Sequence, residues 1–213
     1  HMLDLSCAYA GRDEMPDAIA LTERAARECR IPLVIDSTSA DVVEAALKRY
    51  GGRMLINSIN FEDGEDRAAR VAGLAKTYGA GLVGLTIDED GMAMTADRKF
   101  AVASRLVSFC ADGAGIGPGS IFIDPLTFTV ASGDESLRTA ALETLEAIRR
   151  IKAELPGVRT LLGLSNISFG LKAASRKILN AVFLRMALDA GLDACIINVA
   201  HIVPLNQIPD DAV

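Results

Sequence analysis

The chain has no tryptophan, and aromatic residues make up only 5% of its 213 positions. That composition argues against an aromatic-rich β-sandwich. It suits helices packed on buried parallel strands, which need mainly the Ala, Leu, Ile and Val that dominate here. Histidine is nearly absent, with His1 at the start and His201 near the end, and Cys7, Cys29, Cys110 and Cys195 lie far apart with no C-x-x-C pair. No segment therefore supplies three or four zinc ligands at workable spacing, so no metal is expected on this chain, and the cysteines read as reduced thiols. Basic residues are also short: 22 Lys and Arg against 28 Asp and Glu give a net charge of −6. Without a basic stripe to displace counterions, no nucleic-acid partner is expected. No apolar run approaches the roughly 18 residues that span a bilayer, and no leader precedes the first strand pattern, so a soluble, cytoplasmic protein without a membrane partner is expected. No low-complexity linker divides the chain, and residues 1–213 read as a single domain.

What the chain does have is a repeated β-α alternation. Seven short apolar runs of the buried-strand type recur, at Met2 to Cys7, Pro32 to Ile35, Arg53 to Ile56, Gly81 to Ile87, Ile121 to Ile123, Thr160 to Leu164 and Ala194 to Val199. Helical patterns separate them, including Asp41 to Tyr50, Arg67 to Tyr78, Asp97 to Cys110, Glu135 to Glu154 and Arg176 to Ala190. Ser39 is the expected N-cap of the helix at Asp41, and Gly51, Gly79 and Gly191 stand where a left-handed C-terminal residue is wanted.

Each apolar run ends in a carboxylate, amide or hydroxyl: Asp4 to Ser6, Asp36, Asn57, Asp88, Asp124, Asn166 and Asn198. Six intervals cover the 194 residues from Asp4 to Asn198, a mean near 32, close to the roughly 31 per unit of a 250-residue (β/α)8 barrel. In that fold the C-terminal strand ends surround one mouth, where its active sites lie. Taken singly, each such residue also suits a turn or a helix cap; seven in register point to a pocket. A doubly wound sheet would want a glycine-rich first turn, which Leu3 to Tyr9 lacks. The glycine-rich stretch Gly113 to Gly119 precedes a strand and contains Pro118, so it reads as a plain loop.

In order, the segments Val34-Ile35-Asp36-Ser37, Leu55-Ile56-Asn57-Ser58-Ile59-Asn60, Thr86-Ile87-Asp88, Ile123-Asp124-Pro125-Leu126 and Gly163-Leu164-Ser165-Asn166 resemble a known family. This is the pterin-binding barrel of cobalamin-dependent methionine synthases and of methyltetrahydrofolate:corrinoid protein methyltransferases. The resemblance covers nearly the whole chain. It implies a TIM (β/α)8-type barrel, here lacking the family's first strand with its Glu-Arg-x-Asn motif and its last helix. Residues 1–213 are thus expected to be an incomplete barrel from a larger multidomain protein.

The resemblance also implies chemistry. A reduced pterin offers an amine and a ring N–H on one edge, which carboxylates accept as paired hydrogen bonds. Asp36 and Asp124 are the candidates, with Asn57 reading an adjacent polar atom and Gly163 and Ser165 beside them. The methyl group of 5-methyltetrahydrofolate leaves a tertiary amine, N5, whose charge shift Asn166 would stabilise, with a proton arriving through water ordered by Asp88 or Ser165. Ser6 and Asn198 face the pocket by position, Asn60 is a candidate support for Asn57, and Arg176 is a candidate for the folate tail. The methyl acceptor, cob(I)alamin, is expected on another domain or protein. Dihydropteroate synthase shares the barrel, but its seventh strand resembles Gly-x-Ser-Arg-Lys and an Arg-x-His motif follows its eighth. Here those places read Gly163-Leu-Ser-Asn166 and Asn198-Val-Ala-His201, which favours methyl transfer. A module that holds folate without acting on it is the remaining alternative.

Overall fold

Apolar runs with no alternation predict strands covered on both faces, and that is where the chain puts them. The computed structural model describes residues 1–130, 133 and 135–208; the Asp210-Asp211 end lies outside them. The elements in chain order are β1 (Leu3–Ser6), α1 (Met15–Glu28), β2 (Leu33–Asp36), α2 (Ala40–Leu47), β3 (Leu55–Ile59), α3 (Glu65–Tyr78) and β4 (Gly81–Leu85). A small hairpin follows, β5 (Ile87–Asp88) and β6 (Gly91–Met92), and then α4 (Ala96–Ser108), β7 (Ile121–Asp124), α5 (Ala140–Glu154), β8 (Arg159–Gly163), α6 (Ala173–Asp189) and β9 (Ala194–Ile196). The main sheet has seven strands in the order β1-β2-β3-β4-β7-β8-β9. All of its neighbours pair in parallel.

The sheet curls. Val34 on β2 and Leu161 on β8 share one buried cluster with Leu55 and Val83. In a barrel such inward-facing positions converge on one lumen. Alternate residues of these strands, Ile35, Ile56 and Leu82, join Leu5 of β1 in the larger cluster that packs on the helices. Among the described residues β1 and β9 do not pair, so the barrel is open along one seam.

Ser39 caps α2 as expected, accepting from the Val42 N–H. Gly79 (φ 66°) and Gly191 (φ 106°) take the left-handed region, but Gly51 does not; α2 stops at Leu47 and the chain turns at Lys48 and Arg49, so the helix has ended before Gly51. The helix predicted from Glu135 begins at Ala140, after a separate 3-10 turn at Glu135–Leu137. The glycine-rich stretch is a loop at the N-terminal side of β7, away from the strand ends that form the mouth.

Candidate functional site

Parallel register places the polar strand ends side by side. Ser6 lies opposite Asp36, and Asp36 opposite Asn57, while Asp124 ends β7 opposite Leu85. Two-residue alternation then assigns these side chains to the lumen, because Val34 two residues before Asp36 and Leu55 two before Asn57 both line it. The peptide bond between Asn57 and Ser58 is cis.

Asp124 is the most constrained of the group. It is 7% exposed. The Leu126 N–H donates to its Oδ1 at 2.8 Å and the Gly163 N–H to its Oδ2 at 3.3 Å. Burial raises its pKa to about 6, against the lowering effect of those two N–H groups and of Lys99. A carboxylate has about four acceptor sites, so two remain for a ligand. Asp36 is also raised by burial, with the Ser6 hydroxyl pulling the other way.

Gly163 links this carboxylate to Asn166. A Cβ at position 163 would lie 3.1 Å from Nδ2 of Asn166, tighter than ordinary contact, so the bare glycine lets the amide fold over the strand end. Asn166 and Ser165 are exposed at the surface of the mouth, in the 3-10 turn Leu164–Ser168. The sequence-predicted set Asp124, Gly163, Ser165 and Asn166 is thus brought together, and Ser6, Asp36 and Asn57 form a second row.

Other candidates are placed differently. Asp88 sits in the hairpin, ion-paired with Arg98 and accepting from the Asp90 N–H, so it carries its own countercharge. Asn60 accepts from the Glu62 N–H at 3.2 Å and shapes its own turn; it has no hydrogen bond to Asn57 among the described residues. Asn198 likewise caps a local 3-10 turn through the Ala200 N–H. Arg176 donates to the Ser168 hydroxyl at 3.1 Å, which fixes it on the rim beside Ser165.

Two residues, Lys99 and Arg67, escaped the sequence, and Asp4 was read there only as part of the Asp4 to Ser6 strand end. Lys99 is fully buried, its ammonium donating to the Pro125 and Leu126 carbonyls and lying 4.8 Å from the Phe128 ring centroid. It holds the turn after Asp124, where Leu126 adopts φ 63°, a left-handed conformation unusual for a branched side chain. Burial lowers its pKa to about 8, while Asp124 and Glu143 oppose that. The clue was periodic: Lys99 shares a stripe with Ala96, Val102, Ala103 and Leu106. Arg67 donates to the Thr38 carbonyl at 2.8 Å and the Ser58 carbonyl at 3.3 Å, joining the loop after β2 to the end of β3. Asp4 shares the lumen with Val34; its Oδ1 is buried without a partner, and burial together with Asp36 raises its pKa to about 6.

Lys99 makes a testable link. Removing its charge takes away a lowering influence on Asp124, so Lys99→Met is expected to move the acid limb of ligand binding upward by about one pH unit. A pH titration of affinity reads it; an unmoved limb would show that Lys99 serves packing alone.

The described strands thus form a parallel barrel with acidic and amide groups gathered at one mouth. The chain belongs to the pterin-binding enzyme family, whose model matches residues 2–198. It is 47% identical to the methionine synthase of Mycobacterium tuberculosis over 214 aligned residues, and 44% identical to that of Mycobacterium leprae. Both alignments cover 99% of this chain and 18% of the relative, so the chain spans about a fifth of the proteins it matches. The resemblance carried by Asp36-Ser37, Asn57-Ser58, Asp124-Pro125 and Gly163 to Asn166 is borne out. Among solved structures, the dihydropteroate synthase of Yersinia pestis superposes with a TM-score of 0.64 at 14% identity, covering 91% of this chain and 74% of that one. That of Coxiella burnetii, in complex with pteroic acid, gives 0.64 at 11% identity, with 91% and 73% covered. At such identities these two establish the barrel fold. Among the described residues, no helix is long and apolar enough to cross a membrane, and no group of three or more His, Cys, Asp or Glu is placed to hold a metal ion.

Proposed function

We propose that this chain binds 5-methyltetrahydrofolate and positions its N5-methyl group for transfer to cob(I)alamin carried on another domain or protein. The observation that carries this reading is the Asp124–Gly163–Asn166 constellation: a buried carboxylate with free acceptor sites, joined through one glycine to an exposed amide. Asp124 and Asp36 accept from the pterin's amine and ring N–H, and Asn57 reads a neighbouring atom. Asn166 hydrogen-bonds N5 as charge shifts toward it in the transition state. Asp88, paired with Arg98, acts only as an acceptor that orients water, and Ser165 is nearer in sequence to the reacting edge. The corrinoid, when bound, supplies the nucleophile. The names of the curated relatives support methyl transfer over pterin condensation, as does the absence of Lys or Arg at Ser165-Asn166. We read residues 1–213 as one barrel unit of a longer protein.

Titration with 5-methyltetrahydrofolate, followed by methyl transfer with a cobalamin-carrying partner added to the same sample, tests this. Binding should hold at pH 7.5 and weaken about tenfold for each unit below the Asp124 pKa of about 6, since the protonated carboxyl loses acceptor sites. Binding without transfer would leave a folate-holding module. Product formation from p-aminobenzoate and a pterin pyrophosphate would instead make the chain a dihydropteroate synthase.

A further inference from the structure

The barrel has a second end, at the strand starts. Alternation along the strands gives Arg53, Ser120 and Arg159 the lumenal side there, because Leu55, Phe122 and Leu161, each two residues further on, belong to the cluster that fills the lumen. With Met2 they line a cavity of about 210 Å³ at the foot of the barrel, away from the mouth. Position 81 keeps this layer hollow. A Cβ on Gly81 would come within 3.0 Å of the Ser120 carbonyl oxygen, so no side chain fills that inward place.

Two guanidinium groups converge on this hollow. Arg53 reaches from β3 past β4 to the residue before β7, donating to the Ser120 hydroxyl at 2.6 Å, and Arg159 on β8 lies over the Phe122 ring, 5.4 Å from its centroid. Neither makes a salt bridge among the described residues, and no Asp or Glu lines the cavity, on a chain where acidic residues outnumber basic ones by 28 to 22. Guanidinium groups gathered in a concavity without a countercharge favour an anion, and their planar donor edges match a carboxylate. The Ser120 hydroxyl accepts from Arg53 and keeps its own O–H to donate.

The walls set the rest of the ligand. Met2, Leu55 and Phe122 are apolar and suit a short hydrocarbon stem better than a bare, strongly hydrated phosphate. With no carboxylate in the cavity, the ammonium of an α-amino acid would meet only arginines. Sites for drug-sized ligands run roughly 300–1,000 Å³, so this one takes something smaller. We infer that the foot of the barrel binds a small monocarboxylate with an apolar stem, held by Arg53, Arg159 and Ser120, at a site separate from the mouth and independent of what the mouth binds.

Calorimetric titration at constant ionic strength tests this with three probes: hexanoate, norleucine, which is the same acid carrying an α-ammonium, and inorganic phosphate. Hexanoate is expected to saturate with a Kd of about 1 mM or below, and norleucine and phosphate to bind about tenfold more weakly or worse. Arg53→Gln and Arg159→Gln, both at exposed positions, should each weaken hexanoate about tenfold. Arg159→Gln leaves the contact of Arg53 with Ser120 in place, so it removes charge without disturbing that hydrogen bond. Asp124→Asn, at the other end of the lumen, should leave hexanoate binding unchanged. No saturation by hexanoate up to roughly 10 mM, equal binding by the parent and Arg159→Gln, or loss of binding in Asp124→Asn overturns the proposal. So does norleucine or phosphate binding as tightly as hexanoate.

Discussion

Asp124→Asn is expected to weaken tetrahydropterin binding by a hundredfold or more while leaving the unliganded chain as stable as the parent, or more so, at pH 7.5. The two halves of this result have one cause. The carboxylate is buried and already accepts from Leu126 and Gly163, and its remaining acceptor sites face the lumen. A hydrogen bond to a charged group contributes about 1.5–3 kcal/mol, so losing a paired set amounts to roughly two decades in affinity. For stability the sign runs the other way. The folded pKa of about 6 lies above the ordinary value of 3.8, so folding favours the protonated form. The stabilisation this group offers is present below pH 3.8 and is lost as pH rises through about 6, which makes the ionised carboxylate a liability at pH 7.5 until a ligand's donors reach it. Asparagine removes the charge at similar size, though it keeps one oxygen for two backbone N–H groups, which limits the gain. Thermal denaturation alongside a binding titration measures both. An affinity within threefold of the parent would remove Asp124 from the site.

Asn166→Ala should lower the rate of methyl transfer about a hundredfold, as the loss of one pre-organised transition-state contact does elsewhere, or about 3 kcal/mol. Ground-state affinity should change much less, because the amide is exposed on the rim and its proposed partner, N5, acquires charge only as the methyl group departs. Its fold-back over Gly163 supplies the pre-organisation. A single-turnover measurement with a corrinoid-carrying partner separates the two quantities. A rate unchanged at saturating folate would reduce Asn166 to a surface residue of its turn.

The barrel was legible because parallel strands buried on both faces are continuous apolar runs, and the polar residue ending each run marks the mouth. Asp36, Asn57 and Asp124 were found on that signal, and Asn166 with them. The hairpin at Ile87–Met92 was not, because Thr86 and Ile87 extend the β4 pattern and the turn comes only at Glu89-Asp90. Position relative to a strand end also says nothing about which neighbour claims a side chain. Asp88 and Asp124 look alike in sequence, yet Arg98 takes one, and backbone N–H groups with a buried lysine behind them hold the other. Lys99 could be placed on an apolar stripe but not matched with its carbonyls, which lie 26 and 27 residues away. Arg176, read from the sequence as a candidate for the tail, is placed on the rim by its hydrogen bond to Ser168, eight residues before it.

The spacing of the strand pairings among the described residues bears on how the chain reaches this state. Every pairing in the main sheet joins residues no more than 39 positions apart, the longest being Leu82 with Ile121. Joining β1 to β9 would tie together segments such as Leu3 and Ala194, near opposite ends of the described chain. The entropic cost of closing a loop grows with its length, and distant pairings slow folding. Pairings this local let the sheet grow one β-α unit at a time.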